Sequence, residues 1–144
     1  TVYTHDFTYQ IGQPDLLKPG KDMLLIATGA QVGESLDAVK LLKEKGIDAG
    51  VLNVSSIKPL DERALVKILK DYKAVMTVEQ HSVLNGLGSA VSEIIAQNNI
   101  DIKFKRHGLQ DIFTTSGPYT ELLAYYKLDP EGICQTVFEF LNRV

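Results

Sequence analysis

The stretch Val75-Met76-Thr77-Val78-Glu79-Gln80-His81-Ser82-Val83-Leu84-Asn85-Gly86-Leu87-Gly88-Ser89-Ala90-Val91 decides the architecture. Its first four residues are a nearly unbroken apolar run, the pattern of a strand covered on both faces. From Leu87 the period changes. Leu87, Ala90, Val91, Ile94 and Ile95 recur at i, i+3, i+4 and i+7 and so share one face of a helix. Between the two lies a glycine-punctuated turn. A buried strand, a turn and an amphipathic helix make one βα unit.

The unit repeats outward in both directions. Upstream, Met23-Leu24-Leu25-Ile26-Ala27 is a second buried run, followed by the helical stripe Val32, Leu36, Val39 and Leu42 with Gly46 as its C′ residue. Val51-Leu52-Asn53-Val54 is a third. After Pro59, Asp61 is a natural N-cap for a helix burying Ala64, Leu65, Ile68 and Leu69. Downstream, Ile102-Lys103-Phe104 alternates with lysines and marks a strand with one wetter face. Pro118 opens a helix directing Tyr119, Leu122, Leu123 and Tyr126 inward. Asp129-Pro130, an N-cap followed by proline at the first helical position, opens a last one that buries Ile133, Val137, Phe140 and Leu141.

Strand and helix alternate about every 25 to 28 residues, the length of a βα unit rather than of a solenoid repeat. The leading segment alternates too: Phe7, Tyr9 and Ile11 point one way, Asp6, Thr8 and Gln10 the other, which predicts an edge strand. Gly12-Gln13-Pro14 and Lys18-Pro19-Gly20-Lys21 are turn signals behind it. The expected fold class is α/β: a three-layer, Rossmann-like domain with a mostly parallel sheet of about five strands and one antiparallel edge strand. Residues 1–144 read as a single domain, with 1–21 as lead strand and turn and 22–144 as βα core.

Composition narrows the function classes. An apolar fraction of 44% with 23% charged residues is that of an ordinary globule and excludes disorder. Fifteen basic against eighteen acidic residues give a net charge of −3, which does not attract a phosphate backbone, so no nucleic acid is expected. No apolar run approaches the ~18 residues that span a bilayer, and the first twenty residues do not resemble a secretory signal. Cys134 has no second cysteine to pair with, which fits a reducing, cytoplasmic setting; its place beside the last helical stripe predicts a small buried apolar residue rather than a reactive thiol.

In open α/β sheets ligands gather at the carboxyl ends of strands. Those ends supply Thr28-Gly29, Ser55-Ser56, Glu79-Gln80-His81 and Arg106-His107. Glu79 and His81, in the loop expected after their strand, read either as an acid–base pair or as polar groups that hold the next helix or a subunit contact. No third partner completes a catalytic set. Asn85-Gly86-Leu87-Gly88-Ser89-Ala90 has the position of a phosphate-cradling turn, but Val91 stands where a dinucleotide motif has its third glycine, and no P-loop lysine follows. Close helix–strand packing at Gly86 and Gly88 is the alternative. Ala27-Thr28-Gly29-Ala30 is a weaker version of the same signal, and Lys58 before Pro59 reads as solvated. His5, His81 and His107 have no metal-site spacing, and no Gly-x-Ser-x-Gly elbow supports a hydrolase.

Taken together, the motifs carry a resemblance. Ile57-Lys58-Pro59-Leu60-Asp61, Thr77-Val78-Glu79-Gln80-His81-Ser82, Gly86-Leu87-Gly88-Ser89-Ala90-Val91-Ser92-Glu93, Gly108-Leu109-Gln110-Asp111-Ile112-Phe113 with Ser116-Gly117, and Glu121-Leu122-Leu123 to Leu128-Asp129 follow in order. They resemble the carboxyl-terminal domain of transketolase-like enzymes over about residues 5–140. The Lys-Pro-Leu-Asp run and the Glu-Gln-His segment look closer to transketolase, especially its split two-subunit form, than to the pyruvate dehydrogenase β chain; deoxyxylulose-phosphate synthase is the nearest competitor. Three positions depart from the family pattern: Gln80 stands where relatives carry a second acid, and Asn85 and Lys127 stand where they carry glycine.

The resemblance implies a transferase that moves two-carbon ketol units between sugar phosphates. In that family thiamine diphosphate binds between two other domains at a subunit interface. Its magnesium motif, Gly-Asp-Gly…Asn, does not occur in this sequence, and its activating glutamate belongs to the pyrimidine-binding domain. The implied role is therefore a third domain that carries no catalytic residue, no cofactor ligand and no metal ligand. It would contact the thiamine-diphosphate-binding domains or subunit and support a homodimer, through a face of more than about 1,000 Å². Glu79, His81, Asn85, Gly86 and Gly88 are the candidate interface or strand-end crevice residues. The competing reading is a free-standing anion- or nucleotide-binding module built on Gly86 and Gly88.

Overall fold

The computed structural model describes residues 2, 3 and 6–142; His5, among the sequence candidates, lies outside them. The elements run β1 (Asp15–Lys18), β2 (Met23–Ala27), α1 (Gln31–Glu44), β3 (Ala49–Asn53), α2 (Glu62–Leu69), β4 (Ala74–Ser82), α3 (Leu87–Gln97), β5 (Lys103–Leu109), α4 (Tyr119–Tyr125) and α5 (Pro130–Asn142). One sheet orders them β1-β3-β2-β4-β5. β3, β2, β4 and β5 pair in parallel and β1 is antiparallel to β3. The strand order reverses between β2 and β4, as in doubly wound folds.

β2 explains the three layers. All five of its residues are fully buried, and the two-residue period of a strand divides them between two cores. Met23, Leu25 and Ala27 pack with Val32, Val39 and Leu42 of α1 and Ile133 and Val137 of α5. Leu24 and Ile26 pack with Leu65 and Leu69 of α2 and Leu87, Val91 and Ile94 of α3. Burying each such leucine or isoleucine contributes about 1.5 to 3 kcal/mol.

Local chemistry sets most helix ends. Asp61 accepts the Ala64 N–H at 3.0 Å and caps α2, and Asp129 accepts the Gly132 N–H at 2.9 Å ahead of α5. Three helices end in the same paired-bond motif, with a left-handed C′ residue. Gly46 (φ +80°), Asn99 (φ +50°) and Lys127 (φ +58°) fill that position after α1, α3 and α4. Lys127 holds it as an ordinary residue with a Cβ.

The antiparallel edge strand exists, but residues 6–11 do not form it. They have no regular structure and are exposed; the edge strand is Asp15–Lys18, between the two turn signals. Alternation alone does not make a strand, because a strand also needs an edge with free N–H and C=O groups, and β3 gives that edge to residues 15, 16 and 18. A second difference matters more. β4 does not stop at Val78. It continues to Ser82, which pairs with Leu109 across a register shift that follows Val78. Glu79, Gln80 and His81 therefore sit on a strand and not in a loop. In α4, Leu123 is buried and Leu122 half-buried, as is Tyr126 just beyond it, but Tyr119 is exposed.

Candidate functional site

Glu79 is the centre of the carboxyl end of the sheet. It has no solvent exposure, although a carboxylate taken out of water is costly unless donors surround it. Its two oxygens meet the first two amides of α3: Oε2 accepts the Leu87 N–H at 2.7 Å and Oε1 the Gly88 N–H at 3.0 Å. These amides have no partner within the helix, and the helix dipole adds attraction for negative charge. Such charge-assisted bonds are roughly twice as strong as neutral ones.

The glycines exist to let this happen. A Cβ on Gly86 would collide with Glu79 Oε2 and with the His81 ring. One on Gly88 would lie 2.8 Å from Glu79 Oε1, 2.8 Å from Thr77 Oγ1 and 2.7 Å from Arg106 Cγ. One on Gly108, on β5, would lie 2.9 Å from Glu79 Cγ and from the Glu79 and His81 carbonyl oxygens. Three glycines from two elements and one turn thus ring one carboxylate. Asn85 takes a left-handed φ of +59° at the turn, and its N–H donates to Ser89 Oγ at 2.9 Å. Arg106 reaches across from β5 and donates to the Val83 carbonyl at 3.1 Å, which fixes the turn from the other side.

His81 stands on the rim. Its side chain is half exposed, with Nε2 3.5 Å from Glu79 Oε2 and Nδ1 3.0 Å from the Ser82 carbonyl. Gln80 is exposed. The structure therefore gathers Glu79, His81, Gly86 and Gly88 into one cluster with Asn85 at its lip. Their arrangement is that of a packed joint: the acid of the cluster is sealed from solvent, and the anion seat that the glycine turn suggests is filled by the protein's own carboxylate. A diphosphate could enter only by displacing Glu79, so these residues do not fit one. Among the described residues, no three His, Cys, Asp or Glu side chains are placed to hold a metal ion.

His107, on the adjacent strand β5 and paired with Val78, is a separate case. It is buried and its Nε2 lies 2.7 Å from the Lys127 carbonyl. Burial lowers its pKa below the usual 6.5; the bond to Lys127 works the other way, and the charges of Lys105 and Lys127 add to the lowering. Cys134 is buried in the α1–α5 core, where desolvation raises its thiol pKa, as a small apolar residue should behave. Lys58 is exposed, as expected of a solvated side chain, and lines an open cleft with Glu62 and Glu93.

Gly108 and Thr77 are members of the joint that the sequence reading did not assign to it. Gly108 lies 29 residues from Glu79 along the chain and is brought to it by the pairing of β5 with β4, whereas Thr77 precedes Glu79 by two residues on β4 itself. The available signal was the acid itself: a carboxylate at the end of an apolar run, eight residues before a helix start, needs that helix's free amides.

The transketolase C-terminal domain model matches residues 12–133. The chain belongs to the transketolase C-terminal domain family. It is 44% identical over 136 residues to a protein of Methanocaldococcus jannaschii described as a transketolase C-terminal section, covering 94% of this chain and 42% of that one. It is 39% identical over 140 residues to 1-deoxy-D-xylulose-5-phosphate synthase of Halothermothrix orenii, covering 96% of this chain and 22% of that one. Among solved structures, a split gene transketolase in an inactive beta4 tetramer superposes with a TM-score of 0.89 and 35% identity, over 98% of this chain and 46% of that one. The chain thus spans less than half the length of these relatives. The family carries the fold, and the transketolase domain's Gly-Leu-Gly turn is the place where Glu79 caps α3.

Proposed function

We propose that this domain serves a thiamine-diphosphate-dependent transferase that moves ketol units between sugar phosphates, and that its part is to complete and brace the subunit rather than to react. One observation carries the second half of that reading. The glycine turn at the strand ends, the place where an anionic ligand would be held, is occupied by Glu79 and closed by Gly86, Gly88 and Gly108. What remains exposed there, His81, Gln80, Leu84 and Asn85, is suited to contact with another protein surface. The thiamine-diphosphate-binding domains or subunit is the first such partner and a second copy of the chain the other, in a cytoplasmic enzyme of carbohydrate metabolism. Thiamine diphosphate and magnesium belong to the partner.

Identity to deoxyxylulose-phosphate synthase nearly equal to that of transketolase sections supports a second reading of the same role in that enzyme. Reconstitution tests both. The chain is combined with the cofactor-holding half, and ketol transfer and 1-deoxy-D-xylulose 5-phosphate formation are assayed beside the half alone. Activity and assembly that need the chain, with no heat from thiamine diphosphate and magnesium added to the chain by itself, are expected. Turnover by the isolated chain, or equal activity and assembly without it, refutes the bracing role.

A further inference from the structure

Residues 6–11 are all exposed, yet three of the six are large and apolar: Phe7 at 42%, Tyr9 at 52% and Ile11 at 72%. They alternate with Asp6, Thr8 and Gln10, the pattern of a segment with one face intended for burial. Both ends of the strip are tied down. On one side the Tyr3 hydroxyl donates to Asp15 Oδ2 and accepts from Asn53 Nδ2, both at 2.9 Å, and the Phe7 ring stacks on Tyr3 with centroids 4.1 Å apart. On the other, the Gly12 carbonyl accepts the Asp61 N–H at 2.8 Å. The strip is thus anchored on the surface at both ends, and exposed apolar side chains spaced along it mark a contact.

Its position names the partner. The strip immediately precedes residues 12–133, the stretch that matches a C-terminal domain, and the relatives that contain this stretch are more than twice as long. The family is described as a C-terminal domain, so the added length of those relatives lies ahead of it in sequence, on the side of this strip. We propose that Phe7, Tyr9 and Ile11 form the seat on which the cofactor-holding half of the enzyme packs. This rests on the function proposed above. Another exposed apolar pair, Ile112 and Phe113 beyond β5, has no such continuity and serves as the control surface.

The test compares the chain alone with the chain joined to, or mixed with, the thiamine-diphosphate-binding half, using size exclusion and hydrogen exchange. Amides of residues 6–11 should exchange at least about tenfold more slowly in the assembly, and those of 111–114 should not change. The triple variant Phe7→Ser/Tyr9→Ser/Ile11→Ser should weaken association by about tenfold or more while the chain's own melting temperature shifts by no more than a few degrees, the Phe7–Tyr3 stack being the intramolecular contact it removes. An assembly that forms with unprotected 6–11 amides, or that tolerates the triple variant but not Phe113→Ser, overturns the seat. No assembly by the unaltered chain overturns the functional reading itself.

Discussion

Replacing Glu79 by glutamine keeps the volume of the buried side chain and changes only its hydrogen-bonding character. The carboxylate offers one oxygen to Leu87 N–H and the other to Gly88 N–H. Glutamine has a single acceptor oxygen, so in either orientation its NH₂ group faces one of the two amides, donor against donor. One charge-assisted bond is lost, worth about 1.5 to 3 kcal/mol, and one helix amide is left buried and unpaired. Relief of the buried charge offsets part of this. The tight packing that leaves no space for a Cβ at Gly86, Gly88 or Gly108 also leaves little for a water to take the lost acceptor's place. The net expectation is a loss of about 2 to 4 kcal/mol. At about 2 to 4 °C per kcal/mol for a chain of this size, melting should fall by roughly 5 to 15 °C. Urea titration of Glu79→Gln beside the parent, followed by far-ultraviolet circular dichroism, gives the difference directly. A change within about 0.5 kcal/mol, the ordinary range of a surface substitution, would refute the claim that this carboxylate holds α3 to the sheet.

Gly88→Val places branched carbon against Thr77, Glu79 and Arg106 and should destabilise by about 1 to 3 kcal/mol, read from the same titration. Lys127→Gly should do the opposite: the left-handed conformation costs a residue with a Cβ roughly 1 to 2 kcal/mol, part of which glycine returns as unfolded-chain entropy, so melting should rise by a degree or more. His107 gives a pH signature. Its pKa is lower in the folded than in the unfolded chain, so the unfolded chain binds the proton more readily. Its share of stability is complete above the usual 6.5 and is lost as pH falls through the lower folded value. Denaturation midpoints at pH 7.5 and 5 should therefore differ more for the parent than for His107→Asn.

What the sequence made legible was whatever depends on near neighbours in the chain. Asp61 and Asp129 announce helix starts because a cap needs only a side-chain oxygen and an amide three residues on. The continuous runs at Met23–Ala27 and Val75–Val78 announce buried strands because both faces must be apolar. Residues 6–11 misled because alternation describes a face and not a partner; the short, less patterned Asp15–Lys18 wins the edge through its pairing with β3. Glu79 misled for a related reason. Its strand continues past the apolar run only because Ser82 finds Leu109 across the sheet, a contact 27 residues distant along the chain.

The composition of the joint also says how its influence can travel. Glu79 touches no solvent, so a partner senses it only through the backbone it fixes: the turn at residues 83–86, held by Glu79 from beneath, by Arg106 from β5 and by Ser89 from α3. A substitution at Glu79, Gly86 or Gly88 must therefore disturb stability and assembly together, because the same bonds set both. The strip at Phe7, Tyr9 and Ile11 has no share in the core, and changes there can alter assembly while costing little stability beyond the Phe7–Tyr3 stack. The two surfaces proposed for one partner are thus separable by experiment. If substitutions at the joint weakened assembly while leaving the melting temperature unchanged, the turn would be meeting the partner with its own side chains, and the bracing argument would have the causal order reversed.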